Sequence, residues 1–165
     1  MIIVQVSIIA FGQQVEEKYN IHEGEDAFYL LMPVSEVYKK LGNPDEIQRN
    51  KPHDYNHNYD TVILYYSGIA FTYFDYTDDP EVLVITLMLT DKNYRIGNLS
   101  KKIGCHKDEI INKNGEPHYR RTINENIYFG YEINLRMPYH IVLEFRFNIL
   151  GICDQVSLIH SLYYV

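Results

Sequence analysis

The segment Leu41-Gly42-Asn43-Pro44 returns 73 residues later as Asn114-Gly115-Glu116-Pro117. A glycine followed two residues on by proline is a strong stop signal. Glycine takes the left-handed cap of a helix, and proline prevents the helix from continuing. Each stop follows a short helical pattern. In the first, Pro33 suits the opening turn, and Val34, Val37, Tyr38 and Leu41 fall at i, i+3, i+4 and i+7, one face of a helix. In the second, Ile110 and Ile111 stand where Val37 and Tyr38 stood, but Lys107 replaces Val34 and Asn114 replaces Leu41. The second helix is therefore expected to be shorter or less deeply buried. Gly24 and Gly97 align at the same offset.

Three strand patterns follow each helix. They cover residues 61–67, 69–76 and 82–90 in the first half, and 125–133, 140–148 and 151–160 in the second. Ser67-Gly68 and Leu150-Gly151 mark tight turns. Asp78-Asp79-Pro80 and Met137-Pro138 mark longer connections. Hairpin-length connections favour antiparallel pairing and an α+β layer fold. One weak helix and three strands cannot bury themselves alone, so the halves are expected to share a core. The predicted fold is α+β: two tandem helix-plus-three-strand repeats sharing one antiparallel sheet, with the helices on one face. The first repeat spans residues 13–92 and the second 93–165.

Composition fits this size. The chain has 165 residues and 46% of them are hydrophobic, too many for a disordered chain. No run approaches the roughly 18 apolar residues of a membrane-spanning helix, so no integral membrane segment is expected. Two cysteines, Cys105 and Cys153, are too few for a disulfide scaffold. A pI near 5.4 argues against nucleic acid as a partner. The charge is uneven: residues 1–92 carry 6 basic and 15 acidic groups, and residues 93–165 carry 9 and 7. The acidic peak is Asp75, Asp78, Asp79 and Glu81; the basic cluster is Lys101, Lys102, Lys107, Lys113, Arg120 and Arg121. Both read as solvated loop regions, because exposed charge pairs contribute little.

The apolar stretch Ile2 to Phe11 has two readings. Its length is that of a signal-peptide core, and Ala10-Phe11-Gly12 fits a small-x-small cleavage site, although the first lysine is Lys18. Residues 1–12 would then be a signal remnant, the protein would be periplasmic or secreted, and the two cysteines could oxidise. The same run, rich in Ile and Val, also suits a β-strand of a cytoplasmic protein with ordinary thiols.

The segment Ile103-Gly104-Cys105-His106-Lys107-Asp108-Glu109-Ile110-Ile111-Asn112-Lys113-Asn114-Gly115-Glu116-Pro117 resembles the helix motif of the BamE/SmpA-OmlA and β-lactamase-inhibitor-protein-like superfamily. That motif runs Ile-Gly, then a Glu-Val pair, then Gly-x-Pro, and tandem copies are typical of the inhibitor-like members. The first copy, Leu31-Met32-Pro33-Val34-Ser35-Glu36-Val37, lacks the Ile-Gly pair, and no lipobox cysteine stands near the amino terminus. The resemblance implies a non-enzymatic binding module of the cell envelope or exterior and carries over no catalytic residue.

Alternation along the strands locates a candidate surface. In the second half, Ile127, Phe129, Tyr131, Ile133, Ile141, Leu143, Phe145 and Phe147 share one side. Tyr128, Glu132, Glu144 and Arg146 share the other, which suits water. In the first half both sides are apolar. Ile63, Tyr65, Thr72, Phe74, Val84 and Met88 are read as a second face that needs a cover. Residues 2–11 could supply it from within the chain. Otherwise the cover is another protein or a second copy, since an uncovered patch of that size is unusual. The 16 tyrosines favour an interface, where Tyr anchors contacts at low entropic cost.

Gly-x-Ser-x-Gly, Gly-x-Gly-x-x-Gly, P-loop and Cys-x-x-Cys patterns do not occur, and no cofactor is expected. His53 and His57, four apart with Asp54 and Asp60 nearby, are the one metal candidate; the Pro-, Asn- and Tyr-rich context makes this a loop, where spacing fixes little. The carboxylates at 75–81 lack the rhythm of a calcium loop. Cys105 and His106, as neighbours at i and i+1, do not face each other as nucleophile and base. The preferred expectation is thus a protein-binding module without catalysis. Its rivals are a metal-dependent protein using His53 and His57, a structural homodimer, and an acidic mimic of nucleic acid. The last fits the charge of the first half but not its apolar sheet.

Overall fold

The computed structural model describes residues 28–51, 59–76, 82–94, 98–134 and 140–160. Helix α1 (Val34–Leu41) is followed by strands β1 (Glu46–Asn50), β2 (Tyr59–Tyr66), β3 (Ile69–Tyr76) and β4 (Val84–Leu89). A 3₁₀ turn (Leu99–Lys102) and helix α2 (Lys107–Asn114) lead to β5 (Tyr119–Ile123), β6 (Asn126–Asn134), β7 (His140–Phe147) and β8 (Cys153–His160). The strands form one antiparallel sheet in the order β1-β2-β3-β4-β8-β7-β6-β5. The two halves meet at its centre, where Leu87 pairs with Leu158 and Leu89 with Val156. Among the described residues the molecule is α+β, with one eight-stranded sheet.

Among the described residues, four strands follow each helix, where three were expected. The additional ones, β1 and β5, are the two edges of the sheet. Their sequences, Glu-Ile-Gln-Arg-Asn and Tyr-Arg-Arg-Thr-Ile, lie almost wholly in solvent, so no apolar alternation marks them. They are held by main-chain pairing with β2 and β6. Each edge strand begins and ends 73 residues from its counterpart, and so do the helices.

The helix signals act as the sequence implies. α1 buries Val34 and Val37, places Glu36 in its first turn and Lys39 and Lys40 in its last, matching the helix dipole. α2 has the same length but buries only Ile110. Its first turn is capped reciprocally: His106 Nδ1 accepts the Asp108 N–H, and the Glu109 carboxylate accepts the His106 N–H. The chain leaves the helices at Gly42 and Gly115, with φ of 74° and 81°. Each cap is then tied to the sheet by a tyrosine. Tyr66 Oη donates to the Gly42 carbonyl, and Tyr131 Oη to the Gly115 carbonyl, both at 3.1 Å. Burial pushes both phenols up to about 12.

Both helices pack on one face of the sheet. The shared core joins Val34, Val37 and Ile110 to Val62, Leu64, Phe71 and Leu87 of the first half and Phe129, Leu143, Phe145 and Leu158 of the second. The connections into the helices also match. Before α1, the Leu31 and Val34 N–H groups donate to the Val84 and Val82 carbonyls, and the Val84 N–H donates to Met32. Before α2, the Gly104 and Lys107 N–H groups donate to the Cys153 and Gly151 carbonyls, and the Cys153 N–H donates to Cys105.

Candidate functional site

The face of the sheet away from the helices is the candidate site. Strand register lays it out in rows. One row runs Glu46, Tyr65, Ala70, Met88, Ser157, Glu144, Gly130, Tyr119; the next runs Gln48, Ile63, Thr72, Thr86, Ile159, Val142, Glu132. Ile63, Tyr65, Thr72 and Met88 therefore stand together, all half-buried. Phe74, opposite Thr61 on the same face, is buried, 9% exposed. Its ring lies 4.3 Å from that of Tyr59 and meets Tyr76 edge-on at 6.3 Å. Tyr65 Oη donates to Gln48 Oε1 at 3.2 Å.

Val84 is not on this face. A register shift between Thr72 and Tyr73 places it opposite Tyr73. It is fully buried in the helix-side core with Leu87 and Leu89. Strict alternation along β4 put it on the open side; the bulge inserts one residue and reverses the parity. Ile85, the residue the bulge inserts between Val84 and Thr86, is buried, 9% exposed.

The second half of the same face is chemically different. Glu144, expected in water, is only 4% exposed. Tyr119 Oη donates to its Oε2 at 2.8 Å, and Arg121 Nη2 donates to both carboxylate oxygens, at 2.9 and 2.7 Å. The Arg121 guanidinium also lies over the Tyr128 ring, 5.0 Å from its centre. Gly130 makes this possible. A Cβ there would stand 2.0 Å from the Tyr119 ring, so the ring lies directly on the bare glycine backbone. Arg146 Nε donates to Asp154 Oδ1 at 2.7 Å, and Gln155 Nε2 to Ser157 Oγ at 3.0 Å. An interior strand glycine is a sequence signal for close approach, but the residue that approaches lies on an edge strand the pattern did not show.

Part of the charge is taken up in ion pairs. Arg121 serves Glu144, Arg120 pairs with Glu116, and Arg49 donates to Asp75 at 2.5 Å. Asp78, Asp79 and Glu81 lie outside the described residues, as do His53, His57 and the run 2–11 offered as an internal cover. Among the described residues, no three His, Cys, Asp or Glu side chains gather to hold a metal ion, and no helix is long and apolar enough to cross a membrane. Cys105 and Cys153 are both free thiols.

No family model matches the chain, and no curated protein matches it. Among solved structures it is similar to a candidate beta-lactamase inhibitor protein from Streptococcus mutans, at 12% identity over 90% of this chain and 95% of that one, with a TM-score of 0.26. A likeness of that size carries no argument about function.

Proposed function

We propose that the chain is a non-catalytic protein-binding module, built from two tandem helix-and-strand repeats, that engages a partner protein through the first half of its open sheet face. The observation that carries this reading is the contiguous set Ile63, Tyr65, Thr72 and Met88. Three of the four are apolar or aromatic, and all four are half-exposed and fixed on neighbouring strands. The corresponding surface of the second half uses its own polar groups on each other. Tyr65 and Met88 supply large contact area on a rigid support, the usual make-up of a contact centre. Phe74 lies buried on the same face beside Tyr59 and Tyr76 and stiffens this surface, whereas Val84 belongs to the helix-side core and is no part of it. The apolar run 2–11 and the motif at 103–117 support a place in the cell envelope or outside the cell.

The reading is tested in cells of the native source with a photoreactive residue at position 72 and, separately, at exposed position 39 on α1. Position 72 is expected to yield a discrete protein adduct and position 39 none. Tyr65→Ala with Met88→Ala should abolish the adduct while the melting temperature stays within about 3 °C. Equal adducts from both positions, or an adduct that survives the double substitution, would overturn the proposal. Sedimentation of the purified chain separates partners: a monomer at micromolar concentration points to a different protein, a dimer lost in the double variant to a second copy.

A further inference from the structure

We propose that Cys105 and Cys153 are an oxidisable pair that closes into a disulfide, stapling the start of α2 to the start of β8. The pairing is read from the backbone. His106 and Ile152 form an antiparallel bridge, so Cys105 and Cys153 are the next residues opposite each other. The Cys153 N–H donates to the Cys105 carbonyl at 2.9 Å. Residues opposed across antiparallel strands have Cα atoms about 4.5–5.5 Å apart, within the roughly 4.4–6.8 Å a disulfide spans. Both side chains face the core: Cys153 is 1% exposed, and Cys105 packs against the same cluster while remaining half-exposed.

The first half shows what this position otherwise holds. By the three matching backbone hydrogen bonds, Cys105 stands where Met32 stands and Cys153 where Val84 stands. Met32 and Val84 are both fully buried and belong to the same core cluster, so side chains at these two positions both enter the core. The second half fills the same place with two thiols, beside the helix that buries only Ile110. A covalent tie at that point compensates for weak packing.

The chemistry is an exchange with an external disulfide such as oxidised glutathione. Cys105, the accessible thiol, loses its proton and attacks one sulfur of the oxidant. A mixed disulfide forms and the first glutathione thiolate leaves. Cys153 then loses its proton and attacks the Cys105 sulfur, expelling the second. One protein S–S bond replaces two S–H bonds, and the oxidant is reduced to two thiols. Burial pushes the Cys153 thiol up to about 12, so the second step is the slow one.

The full chain is incubated with oxidised glutathione and analysed by intact mass and by digestion without reductant. The expected product is a monomer lighter by two hydrogen atoms, with one cross-linked peptide holding Cys105 and Cys153. Its melting temperature should rise by about 5–10 °C and return with reductant, since the bond closes a loop of nearly fifty residues. Cys153→Ser should stop at a single glutathione adduct on Cys105, and Cys105→Ser should react far more slowly. A stable adduct on Cys105 in the native chain, a disulfide-linked dimer, or two alkylatable thiols after prolonged oxidation would each overturn the pairing. A Cys105→Ala, Cys153→Ala chain that still gains stability on oxidation would do so too.

Discussion

Among the described residues, five polar side chains are buried: Ser100, Glu144, Gln155, Ser157 and His160. All five lie in the second half. The first half has the same strand order and the same helix connection, yet its described core is apolar and its open face carries Ile63, Tyr65, Thr72 and Met88. The difference teaches how one backbone plan yields two surfaces. In the second half, edge residues Tyr119 and Arg121 reach inward and close the face with hydrogen bonds to Glu144. In the first half, Glu46 and Gln48 stand at the corresponding edge, and the surface beyond them is left to apolar contact.

This contrast predicts opposite responses to truncation. Arg121→Ala leaves the buried Glu144 carboxylate with Tyr119 alone, and should cost about 2–4 kcal/mol of folding stability. Tyr65→Ala, on the half-exposed first face, should cost less than about 1 kcal/mol. Both are read from urea unfolding midpoints at unchanged slope. Equal losses would mean that the two faces are closed in the same way.

The tyrosine locks probe what the halves share. Tyr66→Phe and Tyr131→Phe each delete one hydroxyl donor to a helix-cap carbonyl and should cost about 1 kcal/mol apiece. The pair lies on different strands with different partners, so the double variant should be additive. A large cost at one site and none at the other would show that only one helix depends on its lock.

The buried His160 gives the comparison a pH signature. Burial holds its imidazole below the usual range. Between that lowered value and the ordinary value near 6.5, the unfolded chain binds a proton that the folded chain does not. Its contribution is therefore complete above about 6.5 and lost as pH falls towards the folded value. His160→Gln should flatten the fall in stability across that interval; an unchanged slope would assign it to other groups.

Much of the plan was legible from local chemistry. The Gly-x-Pro stops, the apolar face of α1 and six strands were within two residues of their positions, because each carries its own periodic signal. What was missed depends on distant neighbours. β1 and β5 carry no apolar alternation, and only their pairing with β2 and β6 marks them as strands. Val84 changes sides because of a bulge against β3. Glu144 is buried because residues 23 and 25 positions away return to it, over a glycine that leaves room. Ile63, Tyr65, Thr72, Phe74 and Met88 share the face away from the helices, as alternation places them, but how deeply each sits depends on cross-strand packing that alternation does not encode.

The finest difference lies where the chain turns towards each helix. Leu31 and Gly104 donate equivalent hydrogen bonds, to Val84 and Cys153, and both have positive φ, 64° and 91°. Glycine adopts this conformation freely, whereas a side chain at such φ costs about 1 kcal/mol or more. A Cβ at Gly104 would meet nothing within 4 Å, so Gly104→Ala isolates the backbone term and should destabilise by about 1 kcal/mol. Leu31→Gly relieves the same strain, but the unfolded chain gains freedom worth about 0.5–1 kcal/mol. Because Leu31 is 43% exposed, little burial is lost, and the net should be a gain of no more than about 0.5 kcal/mol. Thermal unfolding of both variants checks the balance. A clear loss at Leu31→Gly would show that this leucine is held by packing that Gly104 does without, and that the two turns are alike only in their hydrogen bonds.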